Sequence, residues 1–246
     1  MTTNSVPSLR RRLNAGDDLV GALVRMPAEE IVEMLAVAGH DFVLVDCEHG
    51  SADLAALRHH VTAAESFGLP VLVRMGADDT PFVLRALDLG VQGVVAPHVD
   101  DVDDAARLVR AVRYPPLGER GYATYSRVGR YGSTTGEEHR RHAADVLVIA
   151  MIESPSAVDA TADITTVPGI DGYLIGTADL GAARSDTDPT LDELVARTHA
   201  GAAAGSVRLD LAGSAEGAQA SLQAGARVIV HNLTLEMMAL FRDLRV

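Results

Sequence analysis

The chain alternates between short apolar runs and longer runs in which apolar residues recur with the period of an α-helix. Short apolar runs separated by helical patterns are typical of the strands of βα units around a parallel sheet. Eight strands are predicted, at residues 20–24, 42–45, 71–74, 93–96, 146–152, 172–175, 206–209 and 227–230. Eight helices are predicted with them, the last an apolar helix over residues 233–244.

Eight consecutive βα units predict an α/β fold of the TIM (β/α)₈ barrel type. The chain has 246 residues, close to the roughly 250 of one such barrel, so a single domain over residues 1–246 is expected. A doubly wound open sheet is the alternative. No G-x-G-x-x-G dinucleotide fingerprint follows the first strand, and its absence weighs against that alternative.

One segment interrupts the alternation. Residues 113–136, RYPPLGERGYATYSRVGRYGSTTG, are rich in glycine, proline, tyrosine and arginine and separate the fourth helix from the fifth strand. A loop of this length inside a compact domain is usually functional or mobile.

Composition and charge exclude several classes of protein. Hydrophobic residues make up 48% and charged residues 22% of the chain, as in ordinary globular proteins. The net charge of −13 argues against nucleic acid or an anionic membrane surface as a partner. No apolar run approaches the roughly 20 residues of a membrane helix. A single cysteine, Cys47, cannot form an internal disulfide, so we expect a cytoplasmic protein.

All 21 basic residues are arginines, because the chain contains no lysine. This excludes Schiff-base chemistry, and with it class I aldolases and pyridoxal phosphate enzymes anchored in the usual way. It also excludes a Walker A loop, which requires a lysine.

Polar residues follow nearly every predicted strand. In a TIM barrel these positions form the C-terminal mouth, where the chemistry takes place. In chain order they are Arg25, Asp46, Glu48, His49, Arg74, His98, Glu153, Asp179, Asp210, His231 and Asn232.

Two carboxylates at this mouth are candidate metal ligands. Glu153 follows the apolar run VLVIAMI, and Asp179 follows the sixth strand. Each also has an ordinary structural explanation: Glu153 in a buried ion pair, and Asp179 as a helix cap. Together, with no histidine or cysteine pair, they favour a hard divalent cation such as Mg²⁺ or Mn²⁺ with open coordination positions.

Other mouth residues are candidates for proton transfer and substrate binding. Asp46 precedes His49 by three residues, and we expect it to orient the imidazole as a general base. Arg74 ends the run VLVR, where it either binds a carboxylate or pairs with an acid. Cys47 is expected to be inert. The histidines at 59, 60, 139 and 142 are expected on solvated helix faces.

Six ordered motifs, DFVLVDCEHG, PVLVRM, ALDLGVQGVVAPHV, RYPPLGERG, IESPSAV and PGIDGYLIGTADL, resemble the HpcH/HpaI family of class II pyruvate aldolases. The resemblance extends from about residue 9 to residue 180. It implies a metal-dependent TIM barrel that forms or cleaves a bond between C3 of pyruvate and an aldehyde carbonyl. The family includes hydroxy-oxo-heptanedioate aldolase and 2-keto-3-deoxy sugar acid aldolases.

The resemblance also implies a role for each matching residue. Glu153 and Asp179 would bind the metal, Mg²⁺ or Mn²⁺ with Co²⁺ as a further candidate. Arg74 would stabilise the pyruvate enolate, and His49, held by Asp46, would act as base through a water. The backbone amides of Gly176, Thr177 and Ala178 would hold the pyruvate carboxylate. A homotrimer or hexamer with an exchanged C-terminal helix is also implied.

Several positions depart from the family pattern. Thr177 stands where the family usually has proline, Met151 where many members have glutamine, and Met75 where proline usually follows the arginine. Arg25, His98 and His231 replace residues that are typically apolar or small. These changes leave three alternatives open: 2-oxo acid decarboxylation or another enolate lyase reaction, a lyase acting on an acyl-CoA thioester, and a non-catalytic paralogue acting as a binding subunit.

Arg25 has two interpretations. It pairs with an acid such as Glu48 or Asp210 across the barrel rim, or it recognises a carboxylate, phosphate or hydroxyl group on the aldehyde.

Overall fold

The computed structural model describes residues 7–245, and in it eight parallel strands close into a barrel. The strands, in the order of the chain and of the barrel, are β1 (Leu19–Val24), β2 (Phe42–Asp46), β3 (Val71–Arg74), β4 (Gly93–Ala96), β5 (Leu147–Ile152), β6 (Gly172–Ile175), β7 (Val207–Ala212) and β8 (Val228–Asn232). Closure is direct, because β1 pairs in parallel with β8 at Gly21↔Val230. The TIM barrel prediction is confirmed, and the open sheet is excluded.

Twelve α-helices surround the barrel in the described residues, more than the eight predicted. They are α1 (Leu9–Ala15), α2 (Glu29–Val37), α3 (Leu54–Ser66), α4 (Thr80–Leu89), α5 (Val102–Val112), α6 (Gly136–Ala144), α7 (Pro155–Asp159), α8 (Thr161–Thr166), α9 (Thr177–Ala183), α10 (Leu191–Gly201), α11 (Ala215–Gln223) and α12 (Leu233–Asp243). The pattern after β5 divides into α7 and α8. The other additional helices are α1 before β1, α6 directly after the 113–136 segment, and the short α9 after β6.

The first helix was not predicted, and it has a structural role. Ser8 caps α1 by accepting a hydrogen bond from the backbone N–H of Arg11, as N-cap serines do. Leu9 and Leu13 of this short helix pack into the cluster that fills the barrel. The helix therefore closes the N-terminal end of the barrel interior.

The barrel interior is filled because residues alternate between the inner and outer faces of each strand. Leu23, Phe42, Leu44 and Ile149 belong to the inner cluster. Gly21 makes room for the Phe42 ring, since a Cβ at position 21 would lie 2.6 Å from it. This packed interior forms the floor beneath the polar residues at the mouth.

The segment over residues 113–136 lies at the N-terminal end of the barrel, because it connects a helix to the next strand. It is bound to the end of α4: Arg120 Nη2 donates to Asp88 Oδ1 at 3.2 Å, and Arg127 Nη1 donates to the Leu89 carbonyl at 2.9 Å. A single 3₁₀ turn, Arg130–Gly132, lies within it. The segment is therefore at the end opposite the mouth of its own barrel.

Two histidines expected on solvated helix faces are buried instead. His60 accepts a hydrogen bond from the Ala28 backbone N–H at 3.1 Å, and His139 Nε2 is 2.8 Å from the Tyr114 hydroxyl. Their neighbours His59 and His142 are exposed, as expected. The helical period alone did not distinguish His60 from His59 or His139 from His142. His60 is covered by the N-terminal end of α2, and His139 by the 113–136 segment.

No helix among residues 7–245 has the length and apolar character needed to cross a membrane.

Candidate active site

The polar residues of the mouth lie at strand ends, where the inner face of the barrel opens. Asp46 is the last residue of β2 and Arg74 the last of β3, and the two are paired in register. Arg74 Nε donates to Asp46 Oδ1 at 3.0 Å, and its Nη2 donates to Oδ2 at 2.5 Å. This two-bond geometry is the fork by which arginine holds a carboxylate. Both side chains are buried, so the pair fixes one side of the mouth.

Arg25 shares the same carboxylate. Its Nε donates to Asp46 Oδ2 at 3.0 Å, and its Nη1 donates to Asn232 Oδ1 at 2.9 Å. The rim ion pair proposed for Arg25 therefore exists, but neither expected partner supplies it. Asp210 is paired with Arg208 at 2.7 Å, and it lies outside because Leu209, beside it on β7, faces the interior.

Asp46 does not hold the imidazole of His49, so that prediction is wrong. Its Oδ1 accepts from the backbone N–H groups of Glu48 and His49, at 3.1 and 3.2 Å. Burial would raise the pKa of Asp46, but the bonds and charge of Arg74 and these two N–H groups outweigh burial and lower it. The His49 ring is 60% exposed, with Nε2 3.9 Å from Glu48 Oε2. Glu48, not Asp46, is the carboxylate near the ring.

Glu153 follows β5 and is only 3% exposed. Its Oε1 accepts from the His98 backbone N–H at 2.6 Å and lies 3.1 Å from His98 Nδ1. Burial raises the pKa of Glu153, and the carboxylates of Glu48 and Asp179 act in the same direction, against the hydrogen bond from His98. The site thus holds a carboxylate that is unfavourable when charged unless a cation is near.

Gly176 stands against the other oxygen of Glu153. A Cβ at position 176 would lie 2.5 Å from Glu153 Oε2, so only glycine leaves this carboxylate in place. Gly176 also caps α9, whose first turn contains Asp179. No described residue accepts a hydrogen bond from the backbone N–H groups of Thr177, Ala178 or Asp179. These amides and the Asp179 carboxylate therefore remain available at the mouth.

The donor set fits a hard divalent cation. In residues 7–245, neither Glu153 nor Asp179 forms an ion pair with an arginine. No guanidinium in that range therefore neutralises either carboxylate directly. No group of three or more histidine, cysteine, aspartate and glutamate residues suited to a metal occurs within that range. Two carboxylates with the remaining positions left to water and substrate is the arrangement that Mg²⁺ and Mn²⁺ accept.

Three residues of this mouth were not among the predicted site residues: Glu48, His98 and Asn232. Glu48 Oε2 lies 3.2 Å from Arg74 Nε, and burial raises the pKa of Glu48, partly offset by the Arg74 charge. His98 has a φ of 52°, a left-handed conformation that directs its backbone N–H at Glu153. Their positions after strands identified all three as mouth residues, but their hydrogen-bond and ion-pair partners depend on the folded arrangement. Burial raises the pKa of the Cys47 thiol to about 12, which agrees with the expectation of an unreactive thiol.

Comparison with known proteins decides the family. Residues 23–239 match the family described as HpcH/HpaI aldolase/citrate lyase. The chain belongs to this family. A crystal structure of an HpcH/HpaI aldolase/citrate lyase family protein from Burkholderia cenocepacia is similar to it over 96% of both chains, with a TM-score of 0.86 and 30% sequence identity.

Named relatives of this HpcH/HpaI chain are aldolases, which are carbon–carbon lyases. Pyruvate aldolase from Rhizobium etli is 33% identical over 178 residues, 72% of this chain and 70% of the relative. The 2-dehydro-3,6-dideoxy-6-sulfogluconate aldolase from Pseudomonas putida is 35% identical over 163 residues, 66% of this chain. The match spans 64% of that relative, a little under two thirds of its length. The predicted family and the carbon–carbon lyase class are confirmed.

Proposed function

We propose that this HpcH/HpaI protein is a divalent-metal-dependent aldolase that joins pyruvate, or a close 2-oxo acid, to an aldehyde and catalyses the reverse cleavage. The observation that carries the proposal is the pair Glu153 and Asp179, two mouth carboxylates that pair with no arginine among residues 7–245. They lie beside Arg74 and the first backbone amides of α9, which have no acceptor in the same range. A 2-oxo acid presents a carboxylate and a keto oxygen, and this mouth offers complementary groups for both.

Glu153 and Asp179 would hold the cation, Mg²⁺ or Mn²⁺ with Co²⁺ as a further candidate. The family is in general dependent on divalent metals, which agrees with this donor set. When bound, the cation would act as a Lewis acid on the 2-oxo group and take the place of the lysine that this chain lacks.

Arg74 would stabilise the negative charge that develops on the enolate. Its Nε and Nη2 are bound to Asp46, and no described residue accepts from its Nη1. Held in this way, the guanidinium needs no reorganisation when charge appears on the substrate. The backbone N–H groups of Thr177 and Ala178, with Gly176 before them, would receive the substrate carboxylate.

His49 is the proposed base, acting through a water. In the cleavage direction it would receive the proton of the 4-hydroxyl group of a 4-hydroxy-2-oxo acid. The C3–C4 bond then breaks, its electron pair forms the pyruvate enolate, the aldehyde leaves, and a proton returns to C3. The exposed imidazole beside Glu48 is free to reach such a water, and the role of Asp46 is to fix the loop that carries it.

Arg25 is the candidate residue for contact with the aldehyde. It lies on the rim next to Asn232 and Asp46 and is partly exposed. Its Nε and Nη1 are occupied by these bonds, but no described residue accepts a hydrogen bond from its Nη2. This favours an aldehyde that carries an anionic or hydroxyl group.

We further propose a homo-oligomer, a trimer or hexamer, in which α12 is exchanged between subunits. No residue of α12 is buried within the chain, and its apolar side chains Leu235, Met238, Leu240 and Phe241 are exposed. An exposed apolar face of this kind is typical of an interface. Size-exclusion chromatography with light scattering tests the state directly.

The function is tested by incubating the metal-loaded protein with pyruvate and a panel of aldehydes, with products read by mass. Formation of a 4-hydroxy-2-oxo acid, abolished in Glu153→Gln, is the expected result. Release of CO₂ from oxaloacetate without any aldol product would identify a decarboxylase instead. No turnover of pyruvate, oxaloacetate or an acyl-CoA thioester, with any of the three metals, would favour a binding subunit.

A further inference from the structure

Asn232, the last residue of β8, has a fixed orientation at the mouth. Val230, two residues earlier on the strand, belongs to the cluster that fills the barrel, so Asn232 faces the same inner side. Its Oδ1 accepts a hydrogen bond from Arg25 Nη1 at 2.9 Å and from the Leu235 backbone N–H at 3.4 Å. Both partners are donors, so the oxygen of the amide faces them and its NH₂ group faces away from them.

Two donor groups at this side of the mouth have no acceptor. Among residues 7–245, nothing accepts a hydrogen bond from Asn232 Nδ2 or from Arg25 Nη2. Neither atom is buried, so both are open to solvent. They belong to two side chains that are hydrogen-bonded to each other. The mouth therefore presents a neutral donor and a charged donor as neighbours.

The carboxylate of this network is already occupied. Asp46 Oδ2 accepts from Arg25 Nε at 3.0 Å and from Arg74 Nη2 at 2.5 Å. Its Oδ1 accepts from Arg74 Nε and from the backbone N–H groups of Glu48 and His49. A molecule that approaches Arg25 and Asn232 thus meets hydrogen-bond donors, and it must offer an acceptor oxygen to satisfy them.

These donors lie across the mouth from the proposed cation site. β8 pairs with β1, and in the closed order of the eight strands β5 is opposite β1. Glu153 follows β5, and Asp179 lies in the helix that follows β6. A substrate with its 2-oxo acid group at these two carboxylates would therefore direct its aldehyde end towards β8 and β1.

We infer that Asn232 is a specificity-determining residue whose amide NH₂ donates a hydrogen bond to an oxygen substituent on the aldehyde. The inference rests on the proposed aldolase function. Arg25 supplies charge beside it, whereas Asn232 supplies a neutral donor whose direction is fixed by the two bonds at Oδ1. A carboxylate can accept from both groups and a hydroxyl from at least one. An aldehyde with only a methyl group leaves both donors unpaired, which a polar site disfavours.

Asn232→Asp separates this role from a purely structural one. Aspartate keeps an oxygen for Arg25 and for the Leu235 N–H, and it is a good N-cap residue, but it replaces the NH₂ donor by a second oxygen. Asn232→Ser is the second variant, because it removes the donor without adding charge and still caps α12. Ser214→Asp is the matched control. Ser214 caps α11 after the neighbouring strand β7, so this change adds the same charge at the same end of the barrel and removes no amide.

Two measurements are made on the metal-loaded, full-length protein. The first is kcat/KM with pyruvate and each of glyoxylate, glycolaldehyde and acetaldehyde, which share a two-carbon body and carry a carboxylate, a hydroxyl or neither. The second is calorimetric binding of glyoxylate in the presence of oxamate, which is isosteric with pyruvate and cannot form an enolate. The second measurement does not depend on turnover.

We expect the preference for glyoxylate over acetaldehyde, and the affinity for glyoxylate, to fall about tenfold or more in Asn232→Asp and by a smaller factor in Asn232→Ser. Preference for glycolaldehyde should persist in Asn232→Asp, because a hydroxyl group can donate to the new oxygen. Ser214→Asp should match the wild type.

Wild-type preference and affinity in Asn232→Asp would overturn the inference and leave the aldolase function in place, since aspartate retains both structural bonds. Equal losses in Asn232→Asp and Ser214→Asp would also overturn it, because the added charge alone would then explain the effect. Glyoxylate binding that weakens in Asn232→Asp, in a protein that forms no aldol product, would support the subsite and contradict the proposed function. Absence of both turnover and binding would overturn both.

Discussion

Gly176 and Glu153 are in such close contact that a single methyl group at position 176 would displace the carboxylate. The added Cβ would lie 2.5 Å from Glu153 Oε2 and 2.9 Å from Glu153 Cβ. The first of these atoms belongs to a proposed metal ligand, and the second fixes where its side chain begins. A glycine is therefore required before α9 because a larger residue there would displace the Glu153 side chain.

Gly176→Ala should therefore weaken cation binding while the barrel stays folded. We expect Mn²⁺ affinity to fall by about 10–100-fold, the range typical of disturbed groups around a metal ligand. Calorimetric titration of Mn²⁺ into the metal-free protein measures the effect. Gly76→Ala is the matched control, since a Cβ at this other mouth glycine meets nothing within 4 Å. Equal affinity in the two variants would contradict the assignment of Glu153.

Asp46→Asn should destabilise the fold strongly, because it leaves Arg25 and Arg74 without their shared counter-charge. Breaking a buried ion pair in this way typically removes about 3–5 kcal/mol from the free energy of unfolding. The pKa of Asp46 is lowered by folding, so its stabilising contribution is present at neutral pH and is lost as pH falls through the folded value. The difference between wild type and variant should accordingly shrink in acid.

Urea unfolding at pH 7 and at pH 3 measures this change. Asp210→Asn provides a control, because it breaks an arginine pair that is less buried and lies outside the mouth. A loss no greater in Asp46→Asn than in Asp210→Asn would show that the mouth network contributes little to stability.

Arg25→Met tests the contact with the aldehyde. We expect kcat/KM for glyoxylate, an anionic aldehyde, to fall about tenfold relative to neutral glycolaldehyde, a difference of about 1.4 kcal/mol. Pyruvate proton exchange should persist, because Arg74 retains both bonds to Asp46. Equal losses of kcat/KM with the two aldehydes would show that Arg25 has only a structural role, through its bonds to Asp46 and Asn232.

Cation binding should depend on pH through Glu153. Its pKa is raised by burial and by the carboxylates of Asp179 and Glu48, and a carboxylate must lose its proton to ligate a metal. Mn²⁺ affinity should therefore rise with pH until pH exceeds this raised value, and then level off. Electron paramagnetic resonance of free Mn²⁺ across pH 4–8 measures the curve.

His98 faces the same carboxylate, and its protonation would oppose a cation in the same direction. His98→Asn separates the two, because asparagine tolerates the left-handed backbone at this position and keeps the N–H bonded to Glu153. Persistence of the pH dependence in His98→Asn assigns it to Glu153. A flat curve in that variant would assign it to the imidazole instead.

The barrel and the residues at its mouth were predictable from the sequence, but the pairing of side chains within the mouth was not. Strands β3, β4 and β6 match their predicted limits, since buried parallel strands are short apolar runs between polar or glycine residues. Position after a strand likewise identified Arg74, Glu153 and Asp179. The ion-pair and hydrogen-bond partners of these residues depend on how the side chains of neighbouring strands are oriented at the mouth. The sequence of one segment does not determine that orientation.

Asp46 shows where such reasoning ends. Its spacing from His49 indicated a contact between carboxylate and imidazole, yet the turn after β2 presents the His49 backbone N–H and turns the ring outward. Asp210 was a plausible partner for Arg25 until the alternation along β7 placed it on the outer face. Both errors concern the direction in which a side chain points, and this is determined by the folded barrel.

Exchange of the pyruvate methyl protons in D₂O, followed by proton NMR, tests the central claim most directly. Exchange requires only enolate formation, so it does not depend on knowing the aldehyde. The account predicts no exchange after EDTA treatment, recovery when Mn²⁺ or Mg²⁺ is added, and no recovery in Glu153→Gln or Asp179→Asn. Exchange that persists without any divalent metal, or that survives in both variants, would contradict it.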